Sequence, residues 1–366
     1  MVYWSKTADV LPVDHVSEAA VGEDGLMHDS LYWPDGEDRM LNTHNRSVNY
    51  LRISVTDRCN FRCVYCMPPN GVHWLDHNEI LTYEEILRLI TVFSREGISK
   101  IRLTGGEPLV RSGLTGLIHD IKRLGVIDDL SLTTNGSLLP PLAHDLKAAG
   151  LDRVNISLDT VNPIRFSRIT TCGRLDDTLH GIESALEAGL TPLKINVVLT
   201  EALLEADLAY FIQQVYRHPI SVRFIEYMPI GGNGTSNGPD IKTVKKLLSR
   251  AAGRQILKPA IGVRGNGPAK YYRLPQARGT FGFITPVSDH FCGECNRLRL
   301  TADGKLRPCL LSNREIDVKT ALRGGADDSE LARLFHEAVR EKPYSHSLCR
   351  ASGYPDFKRR MSQIGG

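Results

Sequence analysis

The sequence predicts an α/β fold, a partial (β/α)₆ barrel of the TIM type with a smaller α+β region after it. From Tyr50 onward, strand-like and helix-like runs alternate, which implies parallel strands joined by right-handed helical crossovers. We count six such units, fewer than the eight that close a full barrel. The alternation stops after about residue 255, and 366 residues leave room for one large domain and a smaller one.

The six predicted strands are rich in β-branched or large apolar residues, and most end in a turn residue. They span 50–55, 100–104, 129–134, 153–158, 193–199 and 220–228. Amphipathic runs between the strands predict helices, several of them closed by a glycine. These helices span 83–97, 114–124, 138–150, 176–189 and 208–217. Functional sites of such barrels gather at the carboxyl ends of the strands, so the loops that follow the strands are the place to search.

The C-terminal region has a different pattern. Short strands are predicted at 270–274 and 280–285. The runs 297–301 and 305–310 flank Ala302-Asp303-Gly304, which predicts a β-hairpin with an Asp-Gly turn. An amphipathic helix is predicted over 328–341, before Pro343.

Composition excludes several classes of function. A net charge of +3 is too small to argue for nucleic acid or a membrane surface, and no apolar run approaches a bilayer-spanning length. Six of the eight cysteines stand in two tight groups, with Cys172 and Cys349 apart. Such clustering in a long chain is typical of metal sites in a reducing compartment, so we expect a cytoplasmic protein.

Residues 1–45 differ from the rest of the chain. Nine acidic residues precede Arg39, whereas Lys6 is the only earlier Lys or Arg. A mitochondrial transit peptide would be rich in Arg and poor in acids. We therefore interpret 1–45 as an acidic extension, poorly ordered or loosely docked. The predicted domains are then the barrel, 46–255, and the C-terminal region, 256–366.

Three cysteines follow the first predicted strand with the spacing C-x₃-C-x₂-C: Cys59, Cys63 and Cys66. Thiolates so close together can face one centre, and iron–sulfur clusters are held by such thiolates. A cubane cluster has four irons, so three cysteines leave one iron open for chemistry. The alternative is a structural zinc knuckle, but structural zinc takes four protein ligands and the nearest candidate, His73, lies seven residues further on.

A second group of cysteines, Cys292, Cys295 and Cys309, has the spacing C-x₂-C-x₁₃-C and brackets the predicted hairpin. From the residues alone, two interpretations stay open. One is a second cluster with three protein ligands. The other is a zinc ribbon whose fourth ligand is His290 or Cys349.

The second predicted strand ends in Gly105-Gly106-Glu107-Pro108. Two glycines let the backbone approach a ligand closely, and their carbonyls, with the Glu107 carboxylate, can accept hydrogen bonds from an ammonium group. A Gly-Gly turn alone is weak evidence for a ligand site, because an ordinary βα loop explains it. The position of this turn, one βα unit after the cysteine loop, makes the evidence strong. The first cysteine group and this loop together resemble the radical S-adenosylmethionine (SAM) family.

That resemblance implies a partial (β/α)₆ barrel of the radical SAM type, whose mouth is closed by the C-terminal domain. It implies a [4Fe–4S] cluster on the first three cysteines, which are also catalytic. The open iron chelates the amino and carboxylate groups of SAM, and an electron from the cluster releases a 5′-deoxyadenosyl radical. The residues expected to contact SAM are Tyr65, Gly105, Gly106, Glu107, Ser157 and Met228.

Both cysteine groups, Asn296-Arg297-Leu298-Arg299 and the terminal Ile364-Gly365-Gly366 together resemble the GTP 3′,8-cyclase family of radical SAM enzymes. The resemblance runs from about residue 49 to 366. It implies a second [4Fe–4S] cluster that binds the purine of GTP, and a double-glycine tail threaded into the active site. Catalytic roles are thereby expected for Arg297, Arg299, Gly365 and Gly366. The residues expected to bind GTP are Arg52, Arg102, Thr133, Lys194, Arg297, Leu298 and Arg299.

Residue chemistry agrees with a triphosphate ligand, because arginine forks suit phosphate oxygens. Arg297 and Arg299 are two apart on a predicted strand, so their side chains point to the same face. For any one basic residue taken alone, a solvated charge or a surface ion pair is the better explanation.

The implied reaction is a carbon–carbon bond-forming, lyase-class cyclisation in the first step of molybdopterin (molybdenum cofactor) biosynthesis. The radical removes the C3′ hydrogen of GTP, the ribose radical attacks C8, and reduction and protonation give (8S)-3′,8-cyclo-7,8-dihydroguanosine 5′-triphosphate. The implied partners are a second copy of the chain, an electron donor such as flavodoxin or ferredoxin, and cyclic pyranopterin monophosphate synthase downstream.

Two other functions remain possible at this stage. The first is a radical SAM maturase acting on a peptide or protein, with a purely auxiliary second cluster. The second is a non-catalytic iron–sulfur or zinc protein. Cys172, in Thr171-Cys172-Gly173, matches no ligand position and is interpreted as a buried or free thiol.

Overall fold

The computed structural model describes residues 44–68, 70–230, 238–265, 267–346 and 357–365. The acidic extension predicted at 1–45 therefore lies almost wholly outside the described residues, as do Cys349 and Gly366. The described residues belong to one compact unit. No helix within the described ranges is long and apolar enough to cross a bilayer.

All six predicted barrel strands are present and pair in parallel, each with the next along the chain. They are β1 (Tyr50–Ser54), β2 (Lys100–Thr104), β3 (Asp129–Thr134), β4 (Arg153–Ser157), β5 (Lys194–Val198) and β6 (Ser221–Ile225). Most of their residues are buried, as expected for a parallel sheet covered on its outer face by helices. The prediction of a partial barrel is thereby confirmed.

Helices connect these strands. They are α1 (Tyr83–Arg95), α2 (Leu114–Arg123), α3 (Ala143–Ala148), α4 (Pro163–Thr170), α5 (Leu175–Glu187), α6 (Glu205–Arg217) and α7 (Ile241–Ala251). α1 begins with a capping box in which Thr82 and Glu85 satisfy each other's backbone N–H groups. Its buried face, which includes Ile86, Leu89 and Phe93, packs into the main core.

Three helices that precede the C-terminal strands differ from the prediction: α3, α4 and α7, the last of which was not predicted. α3 begins only at Ala143 instead of residue 138, because Pro140 and Pro141 lack the N–H groups of an interior helical turn. α4 was not predicted, although Asn162 caps its first turn through Arg165 N and Pro163 occupies the first helical position. Those two residues are a usable sequence signal for a helix start.

The C-terminal strands extend the sheet at both edges. They are β7 (Lys258–Pro259), β8 (Lys270–Arg273), β9 (Thr280–Ile284), β10 (Arg297–Leu300), β11 (Lys305–Arg307) and β12 (Ile316–Asp317). The predicted hairpin is present as β10 and β11, which pair antiparallel. Pairing of β9 with β6 and of β10 with β1 is parallel, so the described strands form one twelve-stranded sheet.

Three further helices lie in this region: α8 (Val318–Arg323), α9 (Asp328–Arg340) and α10 (Met361–Ile364). α9 covers the edge strands from outside and stacks its Phe335 on Phe93 of α1, with ring centroids 4.8 Å apart. A small second core joins Ile364 of α10 to Ile230, Leu311 and Phe357. This second core fixes the end of the chain beside β10 and β11.

Candidate active site

One cavity of about 330 Å³ is lined by residues of the barrel strands, by the loops that follow them and by both cysteine triplets. The first triplet follows the carboxyl end of β1, whereas Cys295 lies beside its amino end, where Tyr50 pairs with Arg297. That volume lies in the usual range of small-molecule sites, about 300–1,000 Å³. Most of the predicted site residues line it too: Arg52, Tyr65, Arg102, Gly105, Gly106, Glu107, Thr133, Ser157, Met228, Arg297 and Arg299. The structure therefore brings two distant cysteine motifs and a set of arginines to one place.

The first triplet lies on the loop after β1. Backbone N–H groups of Cys66 and Met67 donate to the Cys63 carbonyl at 2.8 and 2.9 Å, which curls the loop around its thiols. Burial raises the pKa of Cys59 to about 11 and that of Cys66 to about 12. Thiols buried in this way become thiolates only when a cation binds them, so the donor set suits a metal cluster.

The two glycines after β2 are required by the packing of two loops. A Cβ on Gly105 would lie 2.6 Å from the Thr56 carbonyl oxygen, and one on Gly106 would lie 2.3 Å from that of Arg58. The N–H groups of Gly106 and Glu107 donate to Thr56 O and Arg58 O, each at 2.8 Å. These contacts hold the loop that leads into the first triplet, which is a structural duty beyond the ligand contact predicted from the sequence.

A Gly106→Ala variant is expected to lose stability by about 1–3 kcal/mol, because the added methyl group has no room to relax. The added methyl group should also displace the loop that leads into the first triplet, so the variant should bind less iron there. Gly116→Ala is the matched control, since a Cβ there meets nothing within 4 Å and Ala in a helix interior stabilises by about 0.5–1 kcal/mol. Melting temperature and iron content test this, and equal behaviour of the two variants would contradict it.

Glu107 and Tyr65 are fixed by buried hydrogen bonds. The Glu107 carboxylate accepts from Asn135 N at 2.7 Å and from the Thr134 hydroxyl at 2.8 Å, joining the ends of β2 and β3. Burial raises the pKa of Glu107 to about 7. The Tyr65 hydroxyl donates to Asp159 Oδ2 at 2.7 Å, which orients its ring at the cavity wall.

The second triplet is positioned by β10 and β11. Cys292 and Cys295 lie just before β10, and Cys309 follows β11, so the hairpin brings their thiols to one end. Burial alone would raise the pKa of Cys295, but the positive charges of Arg297 and Lys342 outweigh it and lower the pKa to about 6. Leu311 N also donates to Cys309 Sγ at 3.4 Å. These surroundings favour a thiolate at Cys295, whereas burial raises the pKa of Cys292.

Among the described residues, no three His, Cys, Asp or Glu side chains converge on a single metal ion. This does not test a cubane, whose three thiolates bind three different irons. His290 is exposed, and its ring packs edge-on against that of His346, with centroids 5.3 Å apart. Cys349, the other candidate for a fourth zinc ligand, lies outside the described residues.

A row of arginines crosses the strands between the two triplets. In the strand register, Arg52 of β1 pairs with Arg299 on one side and with Arg102 on the other. All three line the cavity, and burial followed by repulsion from Arg299 lowers the pKa of Arg52. Burying like charges side by side is costly without anions to balance them. The row is therefore suited to a polyanionic ligand.

The remaining predicted contacts lie in different places. Thr133 lines the cavity, and its buried hydroxyl has no hydrogen-bond partner among the described residues. Lys194 and Leu298 are not among the described lining residues. Lys194 is buried and donates to the Arg264 carbonyl, and burial lowers its pKa to about 6. The Leu298 side chain lies in the main core, because neighbours on a strand point to opposite faces.

The C-terminal tail enters the site. Gly365 has φ +74° and packs against Thr104 and Ser54, where a Cβ would lie 2.8 Å from Thr104 Cγ2. Arg299 donates to the Gly365 carbonyl. Arg359 anchors the tail through carboxylates of the hairpin region, at 2.8 Å to Asp303. The tail therefore packs against Thr104 and Arg299, which line the cavity, as far as Gly365. Gly365 itself is not among the described lining residues, and Gly366 lies outside the described residues.

Several lining residues were missed by the sequence analysis: Tyr50, Asn196, Arg223, Phe291 and Lys342. Arg223 had a usable signal, since it is a charged residue between apolar Val222 and Phe224 on an interior strand. Its Nη2 donates to Asn155 Oδ1 at 2.9 Å. Met228, predicted to end the sixth strand, lies three residues beyond the end of β6 but still lines the cavity.

The site's residues fit the groups that the motifs imply. Each triplet offers three half-buried thiols to the shared cavity, the donor set of a cubane cluster with one open iron. Thr133 presents an unsatisfied hydroxyl, and the arginine row presents charge for an anionic ligand. The arrangement can hold two cofactor-sized groups with a charged substrate between them.

Comparison with known proteins agrees with this arrangement. The family model for the radical SAM superfamily matches residues 53–214, and that for Molybdenum Cofactor Synthesis C matches 220–348. The fold resembles Streptococcus suis SuiB with a TM-score of 0.55 at 16% identity, covering 73% of this chain and 62% of that one. Fold and site together define a radical SAM enzyme.

Relatives narrow the family. The chain is 51% identical to the GTP 3′,8-cyclase of Heliobacterium modesticaldum and 50% identical to that of Desulforamulus reducens. Each match spans 328 residues, 89% of this chain and 100% of the relative. The cyclase of Moorella thermoacetica is 48% identical over 327 residues, with the same coverage. The chain therefore belongs to the GTP 3′,8-cyclase family.

Proposed function

We propose that this protein converts GTP to (8S)-3′,8-cyclo-7,8-dihydroguanosine 5′-triphosphate, the first step of molybdenum cofactor biosynthesis. One observation carries the proposal: two cysteine triplets line a single cavity, with the row Arg299, Arg52 and Arg102 between them. Such an arrangement suits one cluster for SAM, a second cluster for the purine, and arginines for the triphosphate.

Roles for the individual residues follow from their positions. Cys59, Cys63 and Cys66 hold the first [4Fe–4S] cluster, with SAM beside Tyr65, Ser157, Met228 and the 105–107 loop. Cys292, Cys295 and Cys309 hold the second. When bound, the first cluster and SAM would supply the radical chemistry needed at C3′ of GTP.

The protein itself contributes position, charge and the exclusion of water. The guanidinium groups of Arg52, Arg102, Arg297 and Arg299 bind and orient the triphosphate, and the Thr133 hydroxyl donates to the nucleotide. The tail closes the cavity, and its Gly365 carbonyl holds the Arg299 guanidinium in place. Leu298 keeps Arg297 and Arg299 on the cavity face by burying its own side chain on the other.

The protein's surroundings belong to the same proposal. We place it in the cytoplasm as a homodimer, reduced by a flavodoxin or ferredoxin and followed by cyclic pyranopterin monophosphate synthase. Residues 46–255 form the catalytic barrel, and 256–366 provide the second cluster and the tail. The proposal assigns no role to the acidic extension.

Anaerobic reconstitution with iron and sulfide, followed by SAM, GTP and dithionite, tests the central claim. The expected products are 5′-deoxyadenosine, methionine and a cyclised nucleotide, all identified by mass. SAM cleavage without any change in GTP would favour a peptide or protein maturase instead. Absence of SAM cleavage in protein with intact clusters would contradict a radical SAM enzyme altogether.

Binding of the triphosphate is expected to protonate Lys194. Its pKa of about 6 leaves the amine neutral at pH 8, and a nearby phosphate would raise that pKa by stabilising the ammonium form. GTP binding at pH 8 should therefore take up a proton. Calorimetry in two buffers of different ionisation enthalpy measures this uptake. An equal uptake by Lys194→Met would show that another group accepts the proton.

A further inference from the structure

We infer that Arg46 and Lys342 form a buried cationic clamp that holds together the backbone around the three cysteines of the second triplet. We infer further that the Lys342 ammonium raises the reduction potential of the cluster bound there. Both residues are positioning residues, and neither was singled out by the motifs. The inference rests on the proposed second cluster.

Lys342 links the backbone beside two of the three cysteines, Cys295 and Cys309. It follows α9 and is only 2% exposed. Its Nζ donates to the Arg297 carbonyl at 2.7 Å and to the Pro308 carbonyl at 2.9 Å. Arg297 lies two residues after Cys295, and Pro308 directly precedes Cys309. The Lys342 side chain also lies close to Cys295, where its positive charge and that of Arg297 lower the pKa of the thiol against the effect of burial. One cation therefore fixes the separation of two cluster ligands.

Arg46 links the backbone of the third cysteine, Cys292, to that of Lys342 and Pro343. Its side chain comes from the chain just before β1 and is 6% exposed. Nη1 donates to the Cys292 carbonyl at 2.7 Å. Nη2 donates to the Pro343 carbonyl at 2.8 Å and to the Lys342 carbonyl at 3.2 Å. The guanidinium therefore joins the peptide of Cys292 to the peptide that carries Lys342. Arg46 holds the backbone of Lys342, and the Lys342 side chain in turn holds the backbone beside the other two cysteines.

The backbone after Lys342 completes the enclosure. The backbone N–H of His346 lies close to the Cys292 thiol, whose pKa is raised by burial, so the 342–346 segment contacts the triplet at both ends. Hydrogen bonds to cluster sulfurs and nearby charge are the main means by which a protein sets a cluster's potential. A positive charge at Cys295 stabilises the reduced, more negative cluster, and its removal should make the potential more negative.

The test uses full-length protein in which Cys59, Cys63 and Cys66 are replaced by alanine, so that all cluster iron reports on the second triplet. After reconstitution, three variants are compared in this background: Lys342→Met, Lys342→Arg and Arg46→Lys. Iron release to a chelator, the cluster's midpoint potential and the protein's melting temperature are measured for each. Lys319→Met serves as control, because the Nζ of this half-buried lysine donates to the Glu79 carbonyl and the residue is not among the described residues that line the cavity.

Each variant has its own expected result. Lys342→Met releases iron roughly 10- to 100-fold faster, as for other lost outer-shell contacts, and its potential becomes more negative. Arg46→Lys keeps the charge but loses the fork, so iron release accelerates while the potential stays unchanged. Lys342→Arg retains the wild-type potential, with release slower than in Lys342→Met. The Lys319→Met control matches the background protein in every measurement.

Wild-type release and potential in Lys342→Met would overturn the inference. If Lys342→Met fails to fold, the conservative variants decide, since wild-type release in both Lys342→Arg and Arg46→Lys would also overturn it. Failure of the proposed function would look different. The alanine background would then take up no cluster, or take up a cluster whose spectrum GTP does not change, before any clamp residue is replaced.

Discussion

Replacement of Cys309 by alanine is expected to abolish formation of the cyclised nucleotide while SAM is still cleaved. Cys309 lies on the second triplet, at the end of the hairpin, and shares no segment with the loop after β1 that holds the first triplet. The radical should therefore form without a correctly held acceptor. Product and 5′-deoxyadenosine, measured by mass in the same reaction, give the two rates.

Two control variants make this result specific. Cys59→Ala should lose both SAM cleavage and the nucleotide product, because its thiol belongs to the first triplet. Cys172→Ser should keep both, since Cys172 is exposed and does not line the cavity in the described structure. Normal yields of cyclised nucleotide from Cys309→Ala would remove the second triplet from the mechanism.

Replacement of Arg52 by methionine is expected to weaken GTP binding and to leave the ligand-free protein as stable as before, or more stable. A hydrogen bond to a charged group contributes about 1.5–3 kcal/mol, so affinity should fall roughly tenfold to hundredfold. In the free protein, the change removes a charge repelled by Arg299 and Arg102. Equilibrium dialysis and the melting temperature measure the two effects separately.

Arg153→Met is the matched comparison for Arg52→Met. Arg153 is fully buried on β4 but pairs with Asp129, at 2.9 Å from Nε and 2.5 Å from Nη2. Replacement of Arg153 breaks this buried ion pair by removing one partner, which costs about 3–5 kcal/mol. This variant should lose stability, whereas Arg52→Met should not. If Arg52→Met is equally unstable, the arginine row is a structural element of the barrel and not a ligand site.

The sequence pattern predicted the barrel because each strand and helix carries its own local signal. The strands β2 and β4 each carry large apolar residues at alternate positions, Ile101 and Leu103 in one and Val154 and Ile156 in the other, and they alternate with amphipathic helices. The parallel pairing of β10 with β1 has no such signal. It depends on two runs far apart in the chain meeting at one edge, which is a property of the closed tertiary structure.

The site could be predicted as far as its residues form compact motifs. Each cysteine group, the 105–107 loop and the run from Arg297 to Arg299 consist of residues close together in the chain. The spacing within each motif therefore indicates which side chains act together. Lys342 and Arg46 are single residues whose roles arise only when four chain segments pack together. Lys194 shows where a motif-based prediction of a ligand contact fails. Its position on a strand suggested a contact with GTP, but its side chain donates to the Arg264 carbonyl and is not among the described residues that line the cavity.

The pairing of β10 with β1 has a consequence for the order of assembly in the cell. β1 emerges from the ribosome well before β10, the neighbour that covers its free edge. Until then, the loop with Cys59, Cys63 and Cys66 is attached to a half-finished sheet with one open side. Iron and sulfide delivered to the nascent chain would meet this loop before its cavity exists, so stable loading of the first cluster should await release of the finished polypeptide.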